Sequence, residues 1–277
     1  MVCSRVLVGL FLLSLLSSAV EARKSHGRHK FKSHERPIDK GLQNLPQIIS
    51  FLNENYLDGD QFAVAINVPA SSCSTHVRPD QNFLPDDPAL KVKRAMNSTA
   101  GVYRGQRIIG AKQKMINGMS SYHPEYLLLI QSSPPENSPH DPLLKELLDR
   151  DKHGCVVFYT HKSPCVNTCS TPEGAYSILP ALDMLREHEG PKAFVFSKVQ
   201  IHVGSIQKTE NRKDLPFAQC FPWGTNMYVT LIYREYFPQH EANIWAVNAR
   251  VPLYRCDGAG CQYCVHQNNE VDYKCMV

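Results

Sequence analysis

The chain has 277 residues, of which 43% are hydrophobic and 20% are charged. These proportions exclude collagen-like, wholly disordered and multi-span membrane proteins. The net charge of +4 is unevenly placed, because residues 23–40 and residues 91–114 each hold seven lysines and arginines. The second of these stretches has no acid at all. Two basic segments therefore interrupt a mildly acidic chain.

The first 22 residues have the pattern of a secretory signal peptide. Arg5 precedes an apolar run over residues 6–16, and Val20-Glu21-Ala22 forms a small-residue cleavage site. The run is shorter than the ~20 residues that span a bilayer, so we expect a secreted, extracellular protein with no membrane contact. Residues 23–40 are expected to be a basic mobile tail, which binds glycans or nucleic acid or serves as a spacer or propeptide.

After the tail, predicted helices alternate with short apolar strands. This alternation predicts a single α/β domain over residues 41–255, with one central sheet and helices packed on it, followed by a Cys-rich extension over residues 256–277. In chain order the predictions are a helix over 45–56, a strand over 62–68, a loop over 69–90, a strand over 102–110, a helix from about 123, a helix opened by Asp141 and Pro142, a strand over 155–160, a helix over 165–189, a strand over 193–201, and buried elements over 227–233 and 244–251.

One histidine, one glutamate and two cysteines carry the chemical signal. His123-Pro124-Glu125 is a His-x-Glu motif, and Pro164 precedes Cys165, which is followed by Cys169. A histidine and two cysteines can supply three tetrahedral zinc ligands and leave the fourth position to water. Zinc lowers the pKa of such a water to about 7, and Glu125 can then move its proton as a general acid and base. This order of motifs is typical of zinc deaminases, whereas a Cys165–Cys169 disulfide is the alternative.

At these residues the chain resembles the AID/APOBEC-like polynucleotide cytidine deaminases, and within them the secreted, fish-type branch. The resemblance covers about residues 45–205 and implies a three-layer sandwich, in which a central mixed sheet is flanked by helices. It also implies that His123, Cys165 and Cys169 hold Zn²⁺, that Glu125 is catalytic, and that the Ser163 carbonyl meets the departing amino group. Where the family usually has Ser-Trp-Ser, this chain has His161-Lys162-Ser163, and residues 202–214 hold no aromatic.

Three further positions are candidates for contacts or modification. Lys162 lies in the motif itself, and a basic side chain there would attract phosphates. Asn117 precedes His123 by six residues and can contact a sugar or a base, although Asn117-Gly118 is also a typical turn. Asn97 begins the one Asn-x-Ser/Thr glycosylation signal of the mature chain. The basic stretch 91–114 is either a route for polynucleotide or a solvated surface.

The remaining cysteines are expected to pair in an oxidising compartment. Nine of the ten follow the signal segment, and an odd number cannot all pair within the chain. Cys155 lies in an apolar strand and is expected to be a buried free thiol. A second zinc site at Cys256, Cys261 and Cys264 is the alternative to disulfides there. The candidates for three disulfides are Cys73, Cys220, Cys256, Cys261, Cys264 and Cys275.

These features predict a secreted zinc-dependent cytidine deaminase that converts cytosine to uracil in single-stranded DNA or RNA, in defence against extracellular pathogens. A deaminase of free cytidine or another nucleobase is the second hypothesis, and it is favoured by the missing aromatics around the motif. In the third hypothesis the protein is a catalytically silent secreted zinc protein, which binds glycans or nucleic acid through its basic segments.

Overall fold

A computed structural model of the chain describes residues 38–276, apart from residues 60, 118–119, 135–141, 166–167, 200–238 and 259. All described residues belong to one compact unit, Glu35–Val277. The predicted signal peptide, most of the basic tail, Cys220 and the element predicted over 227–233 lie outside the described residues. No helix among the residues described is long and apolar enough to cross a membrane.

A seven-stranded mixed sheet forms the centre of the described unit, in the order β2-β3-β1-β6-β7-β8-β9. Its inner strands are continuous apolar runs that are buried along most of their length, as expected for a sheet covered on both faces. A separate two-stranded hairpin pairs β4 with β5. The strands are β1 (Phe62–Val68), β2 (Val102–Arg104), β3 (Ile108–Lys112), β4 (Lys114–Asn117), β5 (Ser120–Tyr122), β6 (Cys155–Lys162), β7 (Lys192–Lys198), β8 (Leu253–Asp257) and β9 (Gly260–Tyr263).

Helices cover both faces of this sheet. Between and around the strands the chain also forms short 3-10 turns at Lys40–Leu42, Pro180–Leu182 and Tyr273–Cys275. The helices are α1 (Leu45–Asn55), α2 (Ala70–Ser74), α3 (Ala89–Met96), α4 (Pro124–Leu129), α5 (Leu143–Arg150), α6 (Asp183–Glu187) and α7 (residues 239–248). The predicted three-layer α/β sandwich with a mixed central sheet is confirmed.

Side-chain contacts show which helices cover which face. Tyr159 of β6 points to the first face, where its hydroxyl donates to Asn53 Oδ1 of α1 at 3.0 Å. The next residue, Thr160, points to the second face and donates to Glu125 of α4. On that second face Asn67 of β1 donates from its side chain to the Leu147 carbonyl of α5 at 2.9 Å. Strand alternation thus places α1 on one face and α4 and α5 on the other.

The direction of the strands decides where a site can form. Strands β3 and β6 are both antiparallel to β1, and β6, β7 and β8 are parallel to one another. The C-terminal ends of β3, β6, β7 and β8 therefore meet at one edge of the sheet. The segment after β6 contains Ser163, Pro164 and Cys165, so the predicted motif lies at this edge.

Several predicted elements match the structure closely. The helix predicted over 45–56 is α1, whose buried face includes Leu45, Ile48, Ile49 and Leu52. The strand predictions at 62–68, 155–160 and 193–201 correspond to β1, β6 and β7. The prediction over 244–251 falls on α7 and the turn after it, with Ile244, Val247 and Val251 buried.

Other predicted elements are wrong in extent. The segment predicted as one helix over 165–189 has turns over its described part up to residue 179, and only α6 is α-helical. Pro172 removes a backbone donor and Gly174 adds freedom, so the helix is interrupted there. The strand predicted over 102–110 is two strands, β2 and β3, which reverse direction around Gly105. The predicted loop 69–90 contains the short helix α2.

Three disulfides join six of the eight described cysteines. Cys73 of α2 is bonded to Cys155 at the start of β6, so the prediction that Cys155 is a free thiol is wrong. The apolar pattern of β6 showed burial but could not show that α2, 82 residues earlier, packs over the strand start. The other two disulfides join Cys256 to Cys261 and Cys264 to Cys275.

The C-terminal cysteines therefore hold disulfides and not a second zinc ion. Cys256 and Cys261 are register partners on β8 and β9, where the two thiols face each other across an antiparallel pair. The Cys264–Cys275 bond joins the 3-10 turn Tyr273–Cys275 to the residue that follows β9, which is the edge strand of the sheet. The Cys-rich segment thus supplies the last strand of the main sheet.

Candidate active site

The first half of the site is the N-terminus of α4. His123 has extended backbone angles and occupies the N-cap position, and Pro124 follows it in the first turn, where its missing N–H costs nothing. Glu125 comes next and is only 4% exposed. A helix that starts at this point directs Glu125 inward against β6, while His123 stays half-buried at the edge.

The carboxyl group of Glu125 is held on one side and open on the other. Thr160 of β6 donates its hydroxyl to Glu125 Oε1 at 2.6 Å. Oε2 is buried and has no hydrogen-bond partner among the described residues. Burial raises the pKa of Glu125 above its usual range, and the nearby His123 and the Thr160 hydroxyl oppose that rise. A carboxyl with one free buried oxygen and a raised pKa is suited to proton transfer.

The second half of the site is the segment after β6. Cys165 and Cys169 are both buried, and they are the two described cysteines without a disulfide. The Cys165 carbonyl accepts from the backbone N–H groups of Cys169 at 2.9 Å and Ser170 at 3.1 Å. These bonds form a compact turn that returns Cys169 to the site. A Cys165–Cys169 disulfide, the alternative considered from the sequence, is not formed.

Three of the predicted residues meet at one point. One nitrogen of His123, one carboxylate oxygen of Glu125 and the Cys169 sulfur all lie within 4.8 Å of one another. The sulfur of Cys165 is not in this set, although Cys165 is close enough to influence the charge of Cys169. Burial, and next the charge of Glu125, raise the pKa of the Cys169 thiol well above its usual range.

This donor set fits a zinc ion. A buried carboxylate oxygen without a partner is unfavourable when it stands alone, and a divalent cation close to it compensates that cost. Nitrogen and sulfur donors are the ligands that zinc prefers. Cys165, four residues before Cys169, is the third ligand that the sequence predicts, and its sulfur is not among the atoms that the structure brings within 4.8 Å.

Ser163 lies against the neighbouring strand. It is 3% exposed, and its backbone N–H donates to the Lys198 carbonyl of β7 at 2.7 Å. Behind it, a small cavity of about 10 Å³ is lined by Ser163, Pro164 and Ser170 and by His240 and Asn243 of α7. A volume of this size holds about one water molecule. Sequence reasoning missed His240 and Asn243, because α7 is far away along the chain.

The other predicted contacts surround this edge of the sheet. Lys162 ends β6 and is half-buried, two positions beyond Thr160 and on the same face. Asn117 ends β4, the first strand of the hairpin that leads into His123. Asn97 is the exposed C-cap residue of α3, where a glycan would have room.

The basic stretch 91–114 does not run along a single path to the site. Arg104 of β2 pairs with Glu146 at 3.1 Å, and Lys93 of α3 is 3.7 Å from Asp58. Arg107 precedes β3 and so lies at the sheet edge opposite the site. Lys112, which ends β3, and Lys114, which begins β4, lie at the edge that holds the motif.

An aromatic cluster next to the site was not predicted. The ring of Tyr122 stacks on Tyr126 with centroids 5.6 Å apart, and Tyr176 packs edge-on against both at 5.8 and 5.5 Å. Tyr122 immediately precedes His123, and Tyr176 is 37% exposed. The structure therefore has aromatic surface close to the site, although the position of the family's tryptophan holds Lys162.

Together, the mixed sheet, the His-x-Glu helix and the buried cysteine pair at one sheet edge define a protein of the deaminase-like α/β class. Within that class, residues 43–218 match the family model described as Secreted Novel AID/APOBEC-like Deaminase 1. The chain belongs to this family and is a secreted deaminase. No curated protein matches the chain, and no solved structure does either.

Proposed function

We propose that the protein is a zinc-dependent deaminase that converts cytosine to uracil in single-stranded DNA or RNA. The observation that carries this proposal is the convergence of His123, Glu125 and Cys169 within 4.8 Å at the edge of the sheet. Family membership supports deamination as the reaction. Family membership does not specify the substrate base or the metal, and we propose cytosine and zinc for them.

His123, Cys165 and Cys169 would hold the zinc ion. Both cysteines are buried and neither is in a disulfide, whereas every other described cysteine is disulfide-bonded, which supports a separate role for them. When bound, zinc supplies a water of lowered pKa, which is a strong nucleophile near neutral pH. One Glu125 carboxylate oxygen lies within 4.8 Å of the donor atoms of His123 and Cys169, and Glu125 Oε2 is buried without a hydrogen-bond partner among the described residues.

Glu125 would carry the protons of the reaction. Hydrolysis replaces the amino group on C4 of cytosine with oxygen from water and releases ammonia, so protons must move from the water to the ring nitrogen and to the departing amine. Thr160 fixes Oε1, which leaves Oε2 to take up and deliver these protons. The raised pKa of Glu125 brings it closer to the working pH of such a shuttle.

The substrate is proposed to be a single strand and not a free nucleoside. Tyr122, Tyr126 and Tyr176 present a partly exposed aromatic surface beside His123, and such surfaces stack unpaired bases. Free cytidine or another nucleobase is the second candidate, because Lys162 stands where the family usually has an aromatic. For a secreted protein the substrate would be extracellular nucleic acid, and we propose that its role is defence against pathogens.

The proposal is tested on purified secreted protein, whose zinc content and deamination of cytosine substrates are both measured. We expect about one zinc per chain and uracil in single-stranded oligonucleotides. Glu125→Gln should abolish turnover while zinc is retained. The matched control is Glu187→Gln, an exposed glutamate at the end of α6, which should turn over normally.

Each result of this test has a distinct meaning. Turnover of cytidine without turnover of oligonucleotides would favour the second candidate. Stoichiometric zinc without ammonia release from any cytosine substrate would favour a silent zinc protein, which binds glycans or nucleic acid through its basic segments. Full activity of Glu125→Gln would refute the proposed role of Glu125.

A further inference from the structure

Two lysines from neighbouring strands lie directly opposite each other at the edge of the site. Lys162 is the last residue of β6 and Lys198 the last of β7, and the two are register partners in a parallel pair. Neighbouring strands are about 4.8 Å apart, so the two side chains start close together. Lys198 is exposed and Lys162 half-buried, which leaves both ammonium groups access to solvent.

Strand alternation places both side chains on the face that holds Glu125. Thr160, which contacts Glu125, is paired with Phe196, and the lysines come two residues later on the same two strands. Residues two apart on a strand point to the same side. Phe196 itself lines the small cavity behind Ser163. The lysine pair thus lies just beyond the acid of the proposed site.

The backbone under this pair is fixed to the motif. The carbonyl of Lys198 accepts the N–H of buried Ser163 at 2.7 Å. A ligand held by the two ammonium groups therefore has a fixed position relative to the segment that runs from Ser163 to Cys165.

Two like charges directly opposite on adjacent strands are unfavourable. Among the described residues, neither ammonium group has an ion pair or a side-chain hydrogen bond that would offset this. Besides Glu125, an acid at the same edge is Asp257, which ends β8 one strand further along. An anion that bridges both lysines would remove the repulsion.

We propose that Lys162 and Lys198 bind a phosphate group of the substrate at the mouth of the site. This inference rests on the proposed function and adds to it the two residues that would hold a phosphate of the substrate. The phosphate can belong to a nucleotide or to a polynucleotide. Lysine binds phosphate as a point charge, so the contact depends on salt and is independent of sequence.

Binding is tested on metal-loaded protein that carries Glu125→Gln, so that the labelled oligodeoxycytidine is not turned over during the measurement. Lys162→Ala, Lys198→Ala and the double variant are titrated by fluorescence anisotropy at several salt concentrations. The matched control is Lys152→Ala, an exposed lysine before β6 at the opposite edge of the sheet.

The double variant should bind at least about tenfold more weakly at low salt, and the slope of log affinity against log salt should fall by about 1 for each lysine removed. Lys152→Ala should stay within about twofold of the parent, and Lys162→Arg with Lys198→Arg should retain binding because the charges remain. Equal affinities of the double variant and Lys152→Ala would overturn the proposal.

Competition with cytidine 5′-monophosphate and with cytidine then identifies the source of the phosphate. If the monophosphate displaces the labelled oligonucleotide at the same concentration as unlabelled oligonucleotide does, and cytidine displaces it more weakly, the phosphate belongs to a nucleotide. If only unlabelled oligonucleotide displaces it, the phosphate belongs to a polynucleotide. If the monophosphate and cytidine both displace the labelled oligonucleotide, and do so at the same concentration, the phosphate contact is overturned as well.

The two proposals fail in different ways. If the protein without Glu125→Gln deaminates oligonucleotides and the double lysine variant does so at unchanged KM, the deaminase stands and the phosphate site falls. If binding depends on both lysines but no protein releases ammonia, the phosphate site stands and the proposed function falls.

Discussion

The Cys73–Cys155 disulfide should contribute more to stability than either of the other two. It closes a loop of 82 residues, whereas Cys264–Cys275 closes 11 and Cys256–Cys261 closes 5. A disulfide stabilises mainly by lowering the entropy of the unfolded chain, and this effect grows with the logarithm of the loop length. The loop-entropy relation gives about 4.5, 2.8 and 2 kcal/mol for the three bonds at 25 °C.

Three double cysteine-to-alanine variants, one for each bond, allow this order to be measured. All four cysteines of the Cys73–Cys155 and Cys264–Cys275 bonds are buried, so the loss of packing is similar in these two variants and their difference reports the loop; Cys261 is half-buried, so the Cys256→Ala/Cys261→Ala variant also loses less packing. Urea denaturation of the secreted proteins gives the free energy of unfolding. We expect the Cys73→Ala/Cys155→Ala variant to lose about twice as much as the Cys256→Ala/Cys261→Ala variant. Equal losses, or a larger loss at the short loop, would refute the entropy argument.

Three further changes test individual contacts of the site. Thr160→Val removes the hydroxyl bonded to Glu125 at 2.6 Å; a hydrogen bond to a charged group is worth about 1.5–3 kcal/mol, so kcat should fall about 10- to 150-fold with zinc content unchanged, while Thr160→Ser should restore most of it. An unaltered kcat in Thr160→Val would mean that this bond does not position Glu125. Burial lowers the pKa of His240 to about 4, so the native state keeps this residue neutral while the unfolded chain, with an ordinary value near 6.5, takes up a proton. Its contribution to stability is complete above pH 6.5 and is lost as the pH falls towards 4, by about 2 kcal/mol at pH 5; urea titrations at pH 7 and pH 5 should therefore show a smaller acid loss in His240→Gln, and the same loss in both proteins would contradict this. Tyr176→Ala removes the most exposed ring of the aromatic cluster and should weaken oligonucleotide binding by about 1–3 kcal/mol, whereas Tyr273→Ala, an exposed tyrosine near the C-terminus, should leave it unchanged.

Local patterns in the sequence were sufficient for the framework of the fold. The 3.6-residue period of α1 and the apolar runs of β1, β6 and β7 each identify one element, because burial on one or both faces leaves a repeating trace in the chain. The motif residues also lie next to elements of this kind, at the start of α4 and the end of β6. An α/β domain with one central sheet could therefore be predicted from these patterns, whereas the three-layer sandwich is implied by the family resemblance and the sheet edge that holds the motif was not predicted.

What the sequence could not supply depends on contacts between distant segments. Cys155 looks like a buried thiol until α2 is known to place Cys73 above it. Lys198 becomes notable only through its register with Lys162 across two strands. The tyrosine cluster joins rings from β5, α4 and the turn before α6, which share no local pattern.

The helix predicted over 165–189 failed for the opposite reason. Residues 170–174 (Ser-Thr-Pro-Glu-Gly) hold no apolar side chain, and Pro172 and Gly174 among them determine the local backbone. The resulting turn carries Ile178, whose N–H donates to the Cys169 carbonyl at 2.8 Å. An irregular segment, and not a long helix, thus supports the second cysteine.

Removal and return of the metal tests the central claim most directly. The account predicts that native protein releases ammonia from a single-stranded oligonucleotide with one cytosine, that a chelator abolishes the release, and that one equivalent of zinc restores it. Glu125→Gln should stay inactive after the same treatment while it binds zinc as tightly. Deamination that persists in the metal-free protein, or in Glu125→Gln, would contradict a zinc site built from His123, Cys165 and Cys169 with Glu125 as its acid and base.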